Sequence, residues 1–153
     1  MSRDHRKLRA FNLADDLVLE VYRITGNFPL EERYGLQSQL RRAALSTATN
    51  IVEGCARKTE KDFANFINVA TGSAAESRYL VDVSIRLGFL SATKHREVLE
   101  RLDQLVAQLK GVSQFAREPG VTRTDPEGLR TKVGQGLRTK VQGHKWRTSP
   151  RTE

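Results

Sequence analysis

One helical stripe constrains the fold of this chain more than any other feature. Between Leu36 and Cys55, apolar and small side chains recur every three or four residues: Leu36, Leu40, Ala43, Ala44, Thr47, Ile51 and Cys55. At about 100° per residue these positions fall on one arc, which predicts a helix facing a core. Pro29 cannot continue a helix, so we expect this one to begin after it, in the acidic turn at residues 31 and 32, and to stop at Gly54.

The same helix carries apolar side chains on the side away from the arc. Leu45 and Val52 lie one heptad apart, with Ala48 between them and the core. Two exposed apolar side chains on one line are suited to packing against another helix, whereas a single one would need no explanation. The pattern predicts a self-association surface made of Leu45, Ala48 and Val52.

A polar stripe runs beside the arc, at Gln39, Arg42, Ser46, Asn50 and Glu53. Two interpretations are open: a ligand or nucleic-acid site, or a hydrogen-bonded seam between helices or between subunits. We favour the seam, because Ser and Asn inside a helix beside a core usually need internal partners.

Three further amphipathic patterns predict an all-α chain. A first helix runs from Phe11 to Thr25, after charged residues that we expect to fray. A third follows Thr59, which reads as its N-cap, and Gly72 in its middle predicts a close approach between helices. A fourth begins near residue 91, with Ser91 or Thr93 as its N-cap. Short connections favour an antiparallel up-down four-helix bundle, which we place at residues 8–117.

The composition changes after residue 117. Gly, Thr, Arg and Lys dominate, and the hexapeptide Gly-Leu-Arg-Thr-Lys-Val occurs twice, from Gly128 and from Gly136. Two copies are too few for a stacked repeat fold. We expect residues 118–153 to form a disordered basic tail.

The formal charge of +8, from 26 Lys and Arg against 18 Asp and Glu, favours a polyanionic partner or serves solubility. Lys and Arg bind phosphates through charge and reach alone. The candidate nucleic-acid-binding residues are Arg41, Arg42, Arg57 and Lys58 in the bundle, and Arg130, Lys132, Arg138 and Lys140 in the tail, with Trp146 available for base stacking. The alternative for the bundle residues is an ordinary solvated face.

Chemistry beyond binding has little support in the sequence. The histidines are scattered, Cys55 is the one cysteine, and no phosphate-binding glycine motif is present. We therefore expect no enzymatic activity, no metal and no cofactor. The single cysteine fits a reducing compartment, and apolar stretches are broken by charge every few residues, so we expect a cytoplasmic protein without a membrane partner.

Part of the chain resembles a known family. The matching residues are Phe28, Pro29, Glu32, Tyr34, Gly35, Leu36, Gln39, Arg41, Arg42, Ala43, Ala44, Ser46, Asn50, Ile51, Glu53, Gly54 and Arg57. In order and spacing they resemble the four-helix-bundle proteins named after the open reading frame in 23S rRNA intervening sequences. The resemblance covers about Leu8 to Phe115.

Accessory proteins of diversity-generating retroelements are similar in fold. The resemblance to them implies assembly as a ring, with five subunits as the suggested number, and association with RNA or DNA and with a reverse transcriptase. The alternative from a different class is a structural scaffold that oligomerises and binds another protein without nucleic acid.

Overall fold

A computed structural model describes residues 3–118 of the chain, and they form four α-helices without any strand. The helices are α1 (Arg9–Ile24), α2 (Leu36–Ala56), α3 (Glu60–Arg86) and α4 (Ala92–Arg117), with short 3-10 turns at His5–Lys7, Thr25–Asn27 and Leu30–Glu32. The prediction of an all-α, four-helix fold is confirmed.

The core lies between the four helices, because α3 packs against both α2 and α4 while α1 packs against the same two. Six of the seven residues on the predicted α2 arc are buried, and only Leu36, in the first turn, is half-buried. Contacts pair Ser46 with Ser73 and Gly54 with Phe66, so α2 and α3 run in opposite directions. The antiparallel up-down arrangement of all four helices stays a prediction.

The prediction for the start of α2 is wrong by about one turn. The helix begins at Leu36, not at residues 31 and 32, which form a separate 3-10 turn. The acidic side chain still serves the helix, because the Glu32 carboxylate accepts a hydrogen bond from the Leu36 backbone N–H at 3.0 Å. A Cβ at Gly35 would lie 2.8 Å from Glu32 Oε2, so glycine leaves room for this cap.

The predictions for Gly54, as the end of α2, and for Gly72, as the site of a close helix contact, are both wrong. Gly54 does not stop α2, which continues to Ala56, and it is buried where α2 meets α3. A Cβ there would lie 3.0 Å from Phe66 Cβ and 3.4 Å from Phe63 Cδ2. At Gly72, where we expected the close approach, a Cβ would meet nothing within 4 Å. The tight helix contact is therefore at Gly54.

Thr59 is confirmed as the N-cap of α3, and Ser91, one of the two candidates, is the N-cap of α4. The Thr59 hydroxyl accepts from the Asp62 backbone N–H at 3.1 Å, and the Ser91 hydroxyl accepts from the Lys94 N–H at 3.5 Å. The first cap fixes where α3 begins, with only three residues between it and the end of α2, and basic residues gather at this turn.

Candidate nucleic-acid interface

The four basic residues predicted on the bundle do not form one patch. Arg41 and Arg42 lie in the second turn of α2, whereas Arg57 and Lys58 follow its last residue. At a rise of about 1.5 Å per residue, the two pairs are about 24 Å apart along the helix axis. Each pair therefore has to be judged by its own surroundings.

Arg41 holds the bundle together. Its Nε donates to Thr25 Oγ1 at 2.8 Å, its Nη2 donates to the Tyr22 carbonyl at 3.4 Å, and its guanidinium lies 4.6 Å from the centre of the Tyr22 ring. These contacts join α2 to the end of α1. Arg42 is exposed, and within residues 3–118 no ion pair or side-chain hydrogen bond engages it. Of this pair, Arg42 is the residue open to an anion.

Arg57 and Lys58 lie in the turn between α2 and α3. The Arg57 guanidinium stacks over the Phe66 ring at 4.4 Å and lies 3.7 Å from the Glu53 carboxylate. Lys58 and Lys61 are exposed, and none of the ion pairs in the described part of the chain uses either ammonium group. This turn presents two cations to solvent.

The prediction that the N-terminal residues fray is wrong from Arg3 onward. The Arg3 backbone N–H donates to the Cys55 carbonyl at 3.0 Å, its guanidinium pairs with the Glu60 carboxylate, and it lies 4.3 Å from the centre of the Phe63 ring. Asp4 caps the following turn by accepting from the Arg6 N–H at 3.1 Å. Residues 3–8 are thereby held against the α2–α3 turn.

Sequence reasoning missed these residues as part of the site. One signal was available, because Asp is a preferred N-cap and Asp4 stands directly before a short helical turn. The tertiary contacts of Arg3 had no such signal, since its partners are more than 50 residues away in the chain.

The basic end of the bundle consists of residues 3–9 and 57–62. It contains seven basic residues, Arg3, Arg6, Lys7, Arg9, Arg57, Lys58 and Lys61, against three acidic ones, Asp4, Glu60 and Asp62. Ion pairs engage Arg3, Arg6 and Arg57 here, and Arg6 lowers the pKa of the Asp4 carboxyl by hydrogen bonding to it. The remaining excess of positive charge is solvent-facing and suits phosphate groups.

The polar stripe of α2 is a seam with α3 in its first half. Gln39 donates to Glu76 Oε1 at 2.5 Å, and the hydroxyls of Ser46 and Ser73 share a hydrogen bond of 2.8 Å. Asn50 donates to the Ser46 carbonyl at 2.7 Å, within α2 itself. The favoured interpretation, a hydrogen-bonded seam, is confirmed at Gln39 and Ser46, but not at Arg42 and Glu53, which are exposed.

The predicted self-association surface is partly exposed. Leu45 and Val52 keep 39% and 37% of their surface accessible, whereas Ala48 keeps 8%. Ala48 therefore belongs to the bundle's own core, because it lies closer to the buried arc than its neighbours do. Any surface for another subunit on this side is made by Leu45 and Val52, and its use in assembly stays a prediction.

The predicted tail residues, Arg130, Lys132, Arg138, Lys140 and Trp146, lie outside the described residues. No helix among residues 3–118 has the length and apolar character needed to cross a membrane. In the same range, no three His, Cys, Asp or Glu side chains come together as metal ligands would.

Fold and charge together define a helical-bundle protein with one strongly basic end. The family model for the 23S rRNA-intervening sequence protein matches residues 6–111, and the chain belongs to this family. A solved structure from Bacteroides thetaiotaomicron, described as a protein of unknown function from the S23 ribosomal protein family, is similar with a TM-score of 0.63 and 17% sequence identity. The match covers 69% of this chain and 95% of that one, and it shows the shared fold. No curated protein matches the chain.

Proposed function

We propose that the protein is a non-enzymatic, oligomeric nucleic-acid-binding protein that holds the phosphate backbone of RNA or single-stranded DNA at its basic end. The observation that supports this most is the pair of exposed ammonium groups, Lys58 and Lys61, beside the docked and basic residues 3–9. The basic residues after 117 are a second proposed source of phosphate contacts.

Such a surface recognises charge and not sequence. Lysine is a point charge on a flexible stem, and phosphate contacts carry no base information. Binding should therefore depend steeply on salt, because each phosphate neutralised releases counterions. It should differ little between RNA sequences of the same length.

Replacing Lys58 and Lys61 together with alanine should flatten the salt dependence of RNA binding. For a single strand, the slope of log K against log salt should fall in magnitude by about 1.4, which is the loss of two phosphate contacts. Fluorescence anisotropy with a labelled single-stranded RNA at several salt concentrations measures the slope. Both side chains are exposed, so the helical signal should be unchanged.

The matched control removes two cations from the other end of the bundle. Lys94 and Arg96 are exposed in the first turns of α4, about 39 Å from Lys61 as estimated from the length of α3. Their double alanine variant should keep the wild-type slope. Equal slopes for the two variants would show that the basic end does not make the phosphate contacts. If the wild type binds no RNA at low salt, the scaffold function takes the place of nucleic-acid binding.

Self-association would multiply weak phosphate contacts, and we place it at Leu45 and Val52. Leu45→Glu combined with Val52→Lys should turn an oligomer into a folded monomer of 17.3 kDa, because it puts charges on the line that another subunit would bury. Light scattering gives the mass, and RNA affinity should fall with it.

Two other exposed apolar residues provide the control for this surface. Leu30 and Val69 keep 80% and 53% of their surface accessible and lie on other elements. Leu30→Glu with Val69→Lys makes the same chemical change and should leave the oligomer intact. A wild-type protein that stays monomeric at high micromolar concentration would contradict the oligomeric proposal.

A further inference from the structure

The N-terminal residues are attached to the bundle through one side chain placed at a junction. Arg3 reaches α2 through the Cys55 carbonyl, and reaches α3 through both the Glu60 carboxylate and the face of the Phe63 ring. Its side chain is only 21% exposed, whereas that of Arg6, three residues on, is 77% exposed. Arg3 thus occupies the interior of the contact and Arg6 its rim.

The contact is incompletely bonded. Arg3 Nη1 is buried and has no hydrogen-bond partner among the described residues, although Nη2 pairs with Glu60 and the guanidinium stacks on Phe63. A buried donor without an acceptor reduces the net gain from docking. Docking of these residues is therefore favourable but cheaper to reverse than a fully bonded contact would be.

We propose that residues 3–8 form a strap that opens and closes on the α2–α3 turn, and that Arg3 is the positioning residue that holds the strap closed. When closed, the strap holds Arg6 and Lys7 at the end of the bundle where Lys58, Lys61 and the first residue of α1, Arg9, already lie. The opening and closing of the strap are independent of the proposed function. Only the effect of the strap on phosphate binding rests on that function.

The reactivity of the Cys55 thiol is a probe of strap opening. Cys55 carries the one sulfhydryl of the chain, it is 1% exposed, and its backbone carbonyl is the acceptor for the Arg3 N–H. Burial raises the pKa of the Cys55 thiol to about 11, and the charges of Arg3 and Asp4 act on it from the strap. At neutral pH the covered thiol is protonated and shielded, so its alkylation requires a local opening.

Opening of the strap and binding of a polyanion should be thermodynamically linked. A polyanion that binds the closed form better must shift the population toward it, and by reciprocity the closed form must bind the polyanion better. If Arg3 had only a structural role, RNA binding and the rate of Cys55 alkylation would not depend on each other.

The first test compares Arg3→Ala with Arg6→Ala in the full chain, since each removes one arginine from the strap. N-ethylmaleimide should alkylate Cys55 about tenfold faster in Arg3→Ala, because the ion pair and the stacking that hold the strap are lost. Arg6→Ala should stay within about twofold of the wild type, since it removes only an exposed pair. Equal rates in the two variants would overturn the strap.

Circular dichroism keeps this comparison interpretable. Both variants should retain the wild-type helical signal. If Arg3→Ala loses it, Glu60→Gln takes its place, because it removes the ion-pair partner and leaves the stacking on Phe63. An unchanged alkylation rate in a folded Glu60→Gln variant would then overturn the proposal.

The second test adds a single-stranded RNA. Saturating RNA should slow alkylation of Cys55 in the wild type, and Arg3→Ala should weaken RNA binding more than Arg6→Ala, although Arg6 is the more exposed cation. Weakening in the opposite order would overturn the positioning role. If the wild type fails to bind RNA, the proposed function fails, while the alkylation rates still decide whether the strap exists.

Discussion

Ile51→Asp should unfold the domain. Ile51 has no accessible surface and lies on the α2 arc that faces the core, so the substitution buries a carboxylate among apolar side chains. A change of this kind costs about 4 kcal/mol or more, which approaches the whole stability of a small domain. Far-ultraviolet circular dichroism should show loss of the helical signal at temperatures where the wild type is folded.

Val69→Asp is the matched control for this prediction. It places the same side chain on α3, outside the proposed self-association surface, at a position that keeps 53% of its surface exposed. The helical signal should be retained, with a melting temperature within a few degrees of the wild type, since surface changes cost about 0.5 kcal/mol or less. If both variants melt alike, the observed orientation of α2 is incorrect.

Gly54→Leu should lower the free energy of unfolding by about 3 kcal/mol, even though leucine is the better helix former. A Cβ on Gly54 would already lie 3.0 Å from Phe66 Cβ, which is attached directly to the α3 backbone. A side chain beyond that Cβ requires α2 and α3 to move apart. This movement would also lengthen the hydrogen bond between Ser46 and Ser73, which joins the same two helices. Urea denaturation gives the midpoint and slope from which the change is obtained.

Gly72→Ala is the comparison variant, and we expect it to change the free energy of unfolding in the opposite direction. Gly72 lies mid-helix in α3, is exposed, and has no atom within 4 Å of an added Cβ. Alanine there should raise the free energy of unfolding by up to about 1 kcal/mol, which is the difference in helix propensity. Destabilisation at Gly72, or tolerance of leucine at Gly54, would contradict the positions assigned to these two glycines.

The elements of the fold could be read from the sequence because periodicity is a local property. The α2 arc identified six residues that are buried, and Thr59 and Ser91 fixed two helix starts through bonds that span three residues. The glycines could not be assigned this way. Whether Gly54 or Gly72 meets another helix depends on which residue faces it across the bundle, and a single sequence does not contain that pairing.

The candidate site was harder to predict because charge in a sequence does not show its partners. Arg41 and Arg42 are adjacent, yet one binds Thr25 and stacks on Tyr22 while the other is open to solvent. Arg3 lay in a segment without helical periodicity, and its contact with Phe63 is made by the tertiary fold. Local patterns identify basic residues, but packing decides which of them are available.

The distribution of charge along α1 has a consequence for how an anion approaches. Residues 3–9 contain four basic residues and one acidic residue, whereas residues 15–32 contain five acidic residues and one basic residue. Residues 3–32 therefore contribute a dipole directed along α1, with its positive pole at the α2–α3 turn. The field of this segment turns a polyanion toward that pole before contact, so the encounter is oriented even where the contact itself reads no sequence.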